Sequence, residues 1–146
     1  MALWQVGFFI LPKLNLELIN LLKSTDEESF DNSFYWDEKK VSPLFFRKIE
    51  TFLPQTESWS EELNIYGNEN SNRIEVYFSN DIVESVSFRI DFTSNYKEIL
   101  KQIIEFCITN DFIILNEMLN VVDLNFESIN KDILNETRVK KYTSFL

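Results

Sequence analysis

Histidine is absent from this 146-residue chain, cysteine occurs once, glycine twice and proline three times. Without an imidazole the commonest general base is missing, and so are every Ser-His or Cys-His nucleophile pair and every histidine-ligated metal site. A single cysteine excludes an intramolecular disulfide and any multi-cysteine metal cluster. It stands as Cys107 on the apolar stripe of a helical pattern, where the expected role is that of a small buried hydrophobe. Gly7 and Gly67 lie in no phosphate-cradling loop and no dinucleotide fingerprint. So few glycines and prolines point to regular elements rather than to linkers or disorder.

Basic residues are also scarce. Fourteen Lys and Arg against 24 Asp and Glu leave a formal charge of −10. Phosphate backbones are bound by cations that displace counterions, so a nucleic-acid partner is not expected. The same charge favours a basic protein partner, although solubility alone is its plainer use. No apolar run reaches transmembrane length, so no membrane partner is expected. The N-terminal "MALWQVGFFILP" has no basic residue before Lys13 and no small-residue cleavage site after its apolar run. It reads as a buried strand rather than a signal peptide, and the cytoplasm is the expected compartment. "NET" at 135–137 matches a glycosylation acceptor, but no secretion signal accompanies it.

Aromatic residues, by contrast, are plentiful: 14 Phe, 5 Tyr and 3 Trp within a 45% apolar composition. Rings of this size supply a compact core readily, and the length suits a single domain over residues 1–146. Trp4 to Leu11 predicts a first strand that stops at Pro12, and Leu14 to Lys23 a short helix. A polar, acidic and aromatic connection follows. "SPLFFRKIETFLP" predicts a helix capped by Ser42, opened by Pro43 and ended by Pro54, with Phe45, Ile49, Phe52 and Leu53 on one face. Ile74, Val76 and Phe78 alternate with Arg73, Glu75 and Tyr77. After a turn at Ser79, Asn80 and Asp81, Val86, Phe88, Ile90 and Phe92 alternate with Ser85, Ser87, Arg89 and Asp91. This is an antiparallel hairpin with one apolar and one polar face.

Asn95 with Glu98 resembles a capping box before a helix whose stripe is Tyr96, Ile99, Leu100, Ile103, Ile104 and Cys107. "DFIILNEMLNVVDLN" reads as two short strands around a turn at 116–120. Phe126, Ile129 and Ile133 begin a last helix, and the basic "RVKKYTSFL" closes the chain. Together these elements predict an α+β fold, an antiparallel sheet with a central hairpin and helices packed on one face.

Carboxylates are the chemistry that remains. Asp26, Glu27, Glu28, Asp31, Asp37 and Glu38 match no EF-hand spacing, and no metal or cofactor is expected. A carboxylate or Mg²⁺ enzyme is accordingly a minor alternative, with no catalytic residue to nominate. The polar strand face of Arg73, Glu75, Tyr77, Arg89 and Asp91 offers a surface for a ligand, but its opposite charges are expected to pair across the hairpin, each pair contributing well below ~1 kcal/mol. Clustering is the stronger signal. Residues 24–38 hold those six acids and no base, with Phe30, Phe34, Tyr35 and Trp36 among them. Residues 50–69 hold Glu50, Glu57, Glu61, Glu62 and Glu69, with Trp59 and Tyr66. Rings beside carboxylates are suited to anchoring and steering a basic protein, while the plainer reading buries the rings and leaves the acids to solvate loops. The candidate binding residues are Asp26, Glu27, Glu28, Asp31, Trp36, Asp37, Glu38, Glu57, Trp59, Glu61 and Glu62.

The second half, in "SVSFRIDF", "YKEILKQIIEFCITNDFIIL" and "ILNETRVKKYTSFL", resembles small bacterial immunity-type proteins that accompany polymorphic or contact-dependent toxins. The resemblance covers about half the chain, consists of fold patterns without a catalytic motif, and has no counterpart in the first half. It implies a cytoplasmic protein that neutralises one toxin by direct binding. The alternative is a general adaptor or small-ligand-binding domain.

Overall fold

A computed structural model describes residues 2–144, all but 137 and 138 with their side chains. Seven strands form one antiparallel sheet: β1 (Gln5–Pro12), β2 (Gln55–Thr56), β3 (Leu63–Gly67), β4 (Arg73–Ser79), β5 (Ile82–Asp91), β6 (Phe112–Leu115) and β7 (Val121–Val122). Their order is β2-β3-β4-β5-β1-β6-β7. The first strand is therefore interior. It pairs with β5 from Gln5↔Asp91 to Ile10↔Val86 and with β6 from Phe9↔Leu115 to Pro12↔Phe112. The helices are α1 (Leu16–Lys23), α2 (Asn32–Trp36), α3 (Lys97–Thr109), α4 (Phe126–Asn135) and α5 (Thr137–Thr143). The fold is α+β, as the sequence predicts. The last two residues of the predicted closing segment, Phe145 and Leu146, lie outside the described residues.

The predicted hairpin is β4–β5. Its two-residue loop, Asn80-Asp81, has φ of 53° and 60°, left-handed values that Asn and Asp tolerate best among residues with a side chain. A loop with both central residues left-handed matches the twist of the flanking strands. The register Ile74↔Phe88 and Val76↔Val86 then puts these four side chains on one face. Val6, Phe8 and Ile10 join them from β1, with the Phe8 and Phe88 rings stacked at 5.0 Å. A bulge after Tyr77 pairs Phe78 with Val83; Val83 is buried and Phe78, predicted as core, is only half-buried.

Leu100, Ile103, Ile104 and Cys107 of α3 and Ile129 and Ile133 of α4 complete this core. Asn125 caps α4, accepting from the Ser128 N–H at 2.8 Å. Asn95 does not cap α3: that helix starts after Tyr96 with no side-chain cap. Residues Pro43–Thr51 are a 3₁₀ helix instead of the predicted α-helix, although Ser42 caps it and Pro43 opens it as expected. The reason lies in the spacing. Pro43, Phe46 and Ile49 are all buried, and a three-residue period aligns them only in 3₁₀ geometry. Phe45, predicted inward, is left 39% exposed.

The predicted connection over 24–38 contains α2, capped by Asp31, whose carboxylate accepts from the Ser33 N–H at 3.0 Å. This helix fills the gap where β1 and β5 part beyond Ile10↔Val86. Trp36 Nε1 donates to the Ile10 carbonyl at 3.1 Å and Asn32 Nδ2 to the Val86 carbonyl at 3.4 Å. Both bonds satisfy strand carbonyls that have lost their ladder partner.

Candidate functional site

Alternation assigns every second residue of β4, β5 and β1 to the face opposite the core. Arg73, Glu75 and Tyr77 stand there beside Arg89, Ser87 and Ser85, with Gly7 opposite Arg89 and Phe9 opposite Ser87. At the β1–β6–β7 end this face is shielded. The Phe30 ring rests on Phe9 at 5.0 Å, and Ile19 and Leu22 of α1 line one hollow with Leu119 and Val121. In the middle, Gly7, Tyr77, Ser85, Ser87 and Arg89 remain half-buried. Glycine and serines give this middle a low floor.

On one flank stands the loop between β2 and β3. Ser58 Oγ donates to the Ser60 carbonyl at 3.0 Å and accepts from the Ser60 N–H at 3.2 Å, which shapes the loop, and the Phe78 N–H donates to the Glu62 carbonyl at 3.0 Å, which ties it to β4. Trp59 is thereby set edge-on to Tyr77, ring centroids 6.5 Å apart, and stays 73% exposed. Phe30 marks the other flank. Tyr77 on β4 and Phe9 on β1 are two strand spacings apart, roughly 10 Å, which is the width of the trough between.

The floor is charged. Glu75 accepts a charge-assisted hydrogen bond from Arg73 Nη2, and Arg89 Nη2 lies 3.1 Å from the same oxygen. The side chains of Arg73 and Glu75 are 5% and 4% exposed, and that of Arg89 is 28%. The expectation of weak, solvated cross-hairpin pairs is therefore corrected: the Arg73–Glu75 pair is buried. Arg73 Nε has no partner among the described residues. Burial first, then the Glu75 charge and its hydrogen bond, hold the Tyr77 phenol above its ordinary pKa. Asp91, also on this face, instead joins a corner, accepting from Ser71 Oγ at 3.0 Å and the Thr93 N–H at 2.9 Å.

The structure divides the candidate residues. Asp26, Glu27, Glu28, Asp31, Asp37, Glu38, Glu57, Glu61 and Glu62 are exposed, and none forms an ion pair among the described residues. Hydrogen bonds from Ser29 hold the Asp26 carboxyl below its usual range. Trp59 is exposed with them. Trp36 is not: it is fully buried, edge-on to Phe46 at 5.9 Å and Phe112 at 5.3 Å, and its ring is unavailable to a partner. Sequence reasoning found the acids and Trp59 but missed the floor of Gly7, Ser85 and Ser87. The signal was the row of small residues on polar strand positions.

Cys107 is fully buried on α3, and burial pushes its thiol up to about 12. At pH 8 roughly one such thiol in ten thousand is ionised, and the thiolate is the reactive form. Native protein is expected to resist a thiol-specific reagent at pH 8 and to label fully once denaturant is added. Stoichiometric labelling without denaturant would contradict the burial.

Among the described residues no helix is long and apolar enough to cross a membrane, and no group of three His, Cys, Asp or Glu is placed to hold a metal ion. Comparison of the chain with protein-family models, with curated proteins and with solved structures gives no match in any of the three.

Proposed function

We propose that this chain is a protein-binding domain that captures a basic partner on its open sheet face, as an immunity protein does when it occludes a bacterial toxin. The observation that carries the reading is Trp59, 73% exposed and held against Tyr77 beside Glu57, Glu61 and Glu62. An indole fixed in place gives a partner a large apolar anchor at little entropic cost, and the carboxylates around it, in no ion pair among the described residues, attract cations at long range. A second acidic run, Asp26 to Asp31, is exposed and surrounds in sequence Phe30, whose ring rests on Phe9. The resemblance of the second half to immunity-type proteins supports the same reading.

The test is binding kinetics against a basic toxin domain, should a neighbouring gene encode one, with circular dichroism to confirm folding. Reversing Glu61 and Glu62 to Lys is expected to slow association about tenfold at low salt, with the loss shrinking as salt screens the charges. Trp59→Ala is expected to speed dissociation by roughly 30-fold, corresponding to a hot spot of about 2 kcal/mol. Folded variants with unchanged rates would place the interface elsewhere and leave these loops as solvated connections.

A further inference from the structure

Bases are the scarcer charge in this chain, yet three lysines that form no ion pair among the described residues converge on one hollow. It runs between α3 and α4 and has a volume of about 540 Å³, within the range of small-ligand sites. Lys97 and Lys101 reach over the Phe126 ring from α3, their ammoniums 5.7 and 5.5 Å from its centre. Lys131 lines the hollow from α4, and the one acid among the described residues lining it is Glu127. Asn130 joins them. Its Oδ1 accepts from the Tyr96 hydroxyl, which leaves the amide Nδ2 as a donor. Leu134, 52% exposed, adds apolar surface.

Helix stability does not account for this arrangement. Lys97 is the first residue of α3, where the positive end of the helix dipole disfavours a cation. Lys101 follows at i+4, so two like charges stand one above the other on the same helix face. The Phe126 ring attracts both ammoniums but carries no charge to cancel theirs. Glu98 and Glu105 of the same helix form no ion pair with either lysine, and Asp132 of α4 is engaged by Asn116. Glu127 has a helical reason for its place, in the first turn of α4. What the lysines lack is an anion.

We infer that this hollow binds the phosphate group of a small soluble phosphate monoester, with Lys97, Lys101 and Lys131 as its cationic contacts and Asn130 as a neutral donor. A phosphate monoester is close to a dianion at neutral pH and offers three acceptor oxygens, which suits several ammonium donors better than a single carboxylate. Leu134 offers its organic group an apolar contact. The rest of the chain limits the size of the ligand. At a formal charge of −10 the protein repels a polyanion or an anionic membrane surface, whereas one phosphate group meets mainly the local lysines. Since α3 and α4 pack on the core side of the sheet, the site is separate from the open face proposed for a protein partner.

The probes are inorganic phosphate, phenyl phosphate and acetate, each titrated at constant ionic strength with chloride as the balancing anion. Both phosphates are expected to shift the Asn130 side-chain amide resonances saturably, with midpoints on the order of 1–10 mM, and to raise the thermal midpoint of unfolding. Phenyl phosphate should saturate at the lower concentration. Lys97→Gln combined with Lys101→Gln should weaken both about tenfold. The same double variant should unfold at an unchanged or higher temperature without phosphate, because two exposed, mutually repelling charges are gone. Glu127→Gln should tighten both phosphates. Absence of saturation, equally tight saturation by acetate, or phosphate binding that ignores the double variant would overturn the site. Binding to vesicles containing phosphatidic acid without a response to phenyl phosphate would assign the lysines to a lipid headgroup and overturn the soluble ligand. Trp59→Ala and the Glu61/Glu62 reversals should leave phosphate binding unchanged, so this site and the protein interface stand or fall separately.

Discussion

Trp36→Ala is expected to destabilise the domain by about 3–5 kcal/mol from the lost ring alone. The indole is fully buried between Phe46 and Phe112, and a void there borders rings that cannot move independently. The Ile10 carbonyl also loses its donor, adding about 1–3 kcal/mol if no water reaches it. Against a total of about 5–15 kcal/mol, the variant should be largely unfolded at 37 °C or have a sharply lower urea midpoint. Trp59→Ala is the matched control, since an exposed ring should change stability by no more than about 0.5 kcal/mol. Urea denaturation followed by circular dichroism reads both. Comparable losses in the two variants would mean that Trp59 is core, and the binding face would lose its anchor.

Glu75→Gln is expected to cost about 3–5 kcal/mol, because it removes one partner of a buried ion pair and leaves the other uncompensated. Arg73 and Arg89 are direct cross-strand neighbours, so two like charges would face each other across one ladder step. Arg73 suffers most. Its side chain is 5% exposed, its Nε has no partner among the described residues, and Glu69 at 4.0 Å is too exposed to help much. Arg89 can swing its head into water on its alkyl stem. Replacing the pair together, Arg73→Met with Glu75→Leu, should recover most of the loss, since no charge then stays buried. The measurement is equilibrium denaturation of the three proteins. A cost below about 1 kcal/mol for Glu75→Gln would show the cluster to be solvated.

Local patterns carried much of the fold into the sequence. Two-residue alternation fixed β4 and β5 and the faces of Ile74, Val76, Phe88 and Ile90; the helical stripe fixed α3 and the burial of Cys107. Both depend only on side-chain direction along one element, which neighbours in sequence determine. The acidic runs and the absence of histidine needed no structure at all. The position of β1 between β5 and β6 was decided by pairings across about 75 to 105 residues, which no local period encodes.

The same holds for the residues that matter most to the proposed function. Trp36 and Trp59 sit in similar acidic, aromatic stretches, yet one fills the gap where β1 and β5 part and the other stands over Tyr77 in solvent. Arg73, Glu75 and Arg89 look in sequence like an ordinary solvated strand face. Only the sheet brings both guanidiniums onto one carboxylate and buries it. By itself the sequence determined composition, charge, the elements and their apolar faces, because each is a property of consecutive residues. The tertiary structure alone decided which rings are core and which charges are buried, because burial depends on what the rest of the chain places on top.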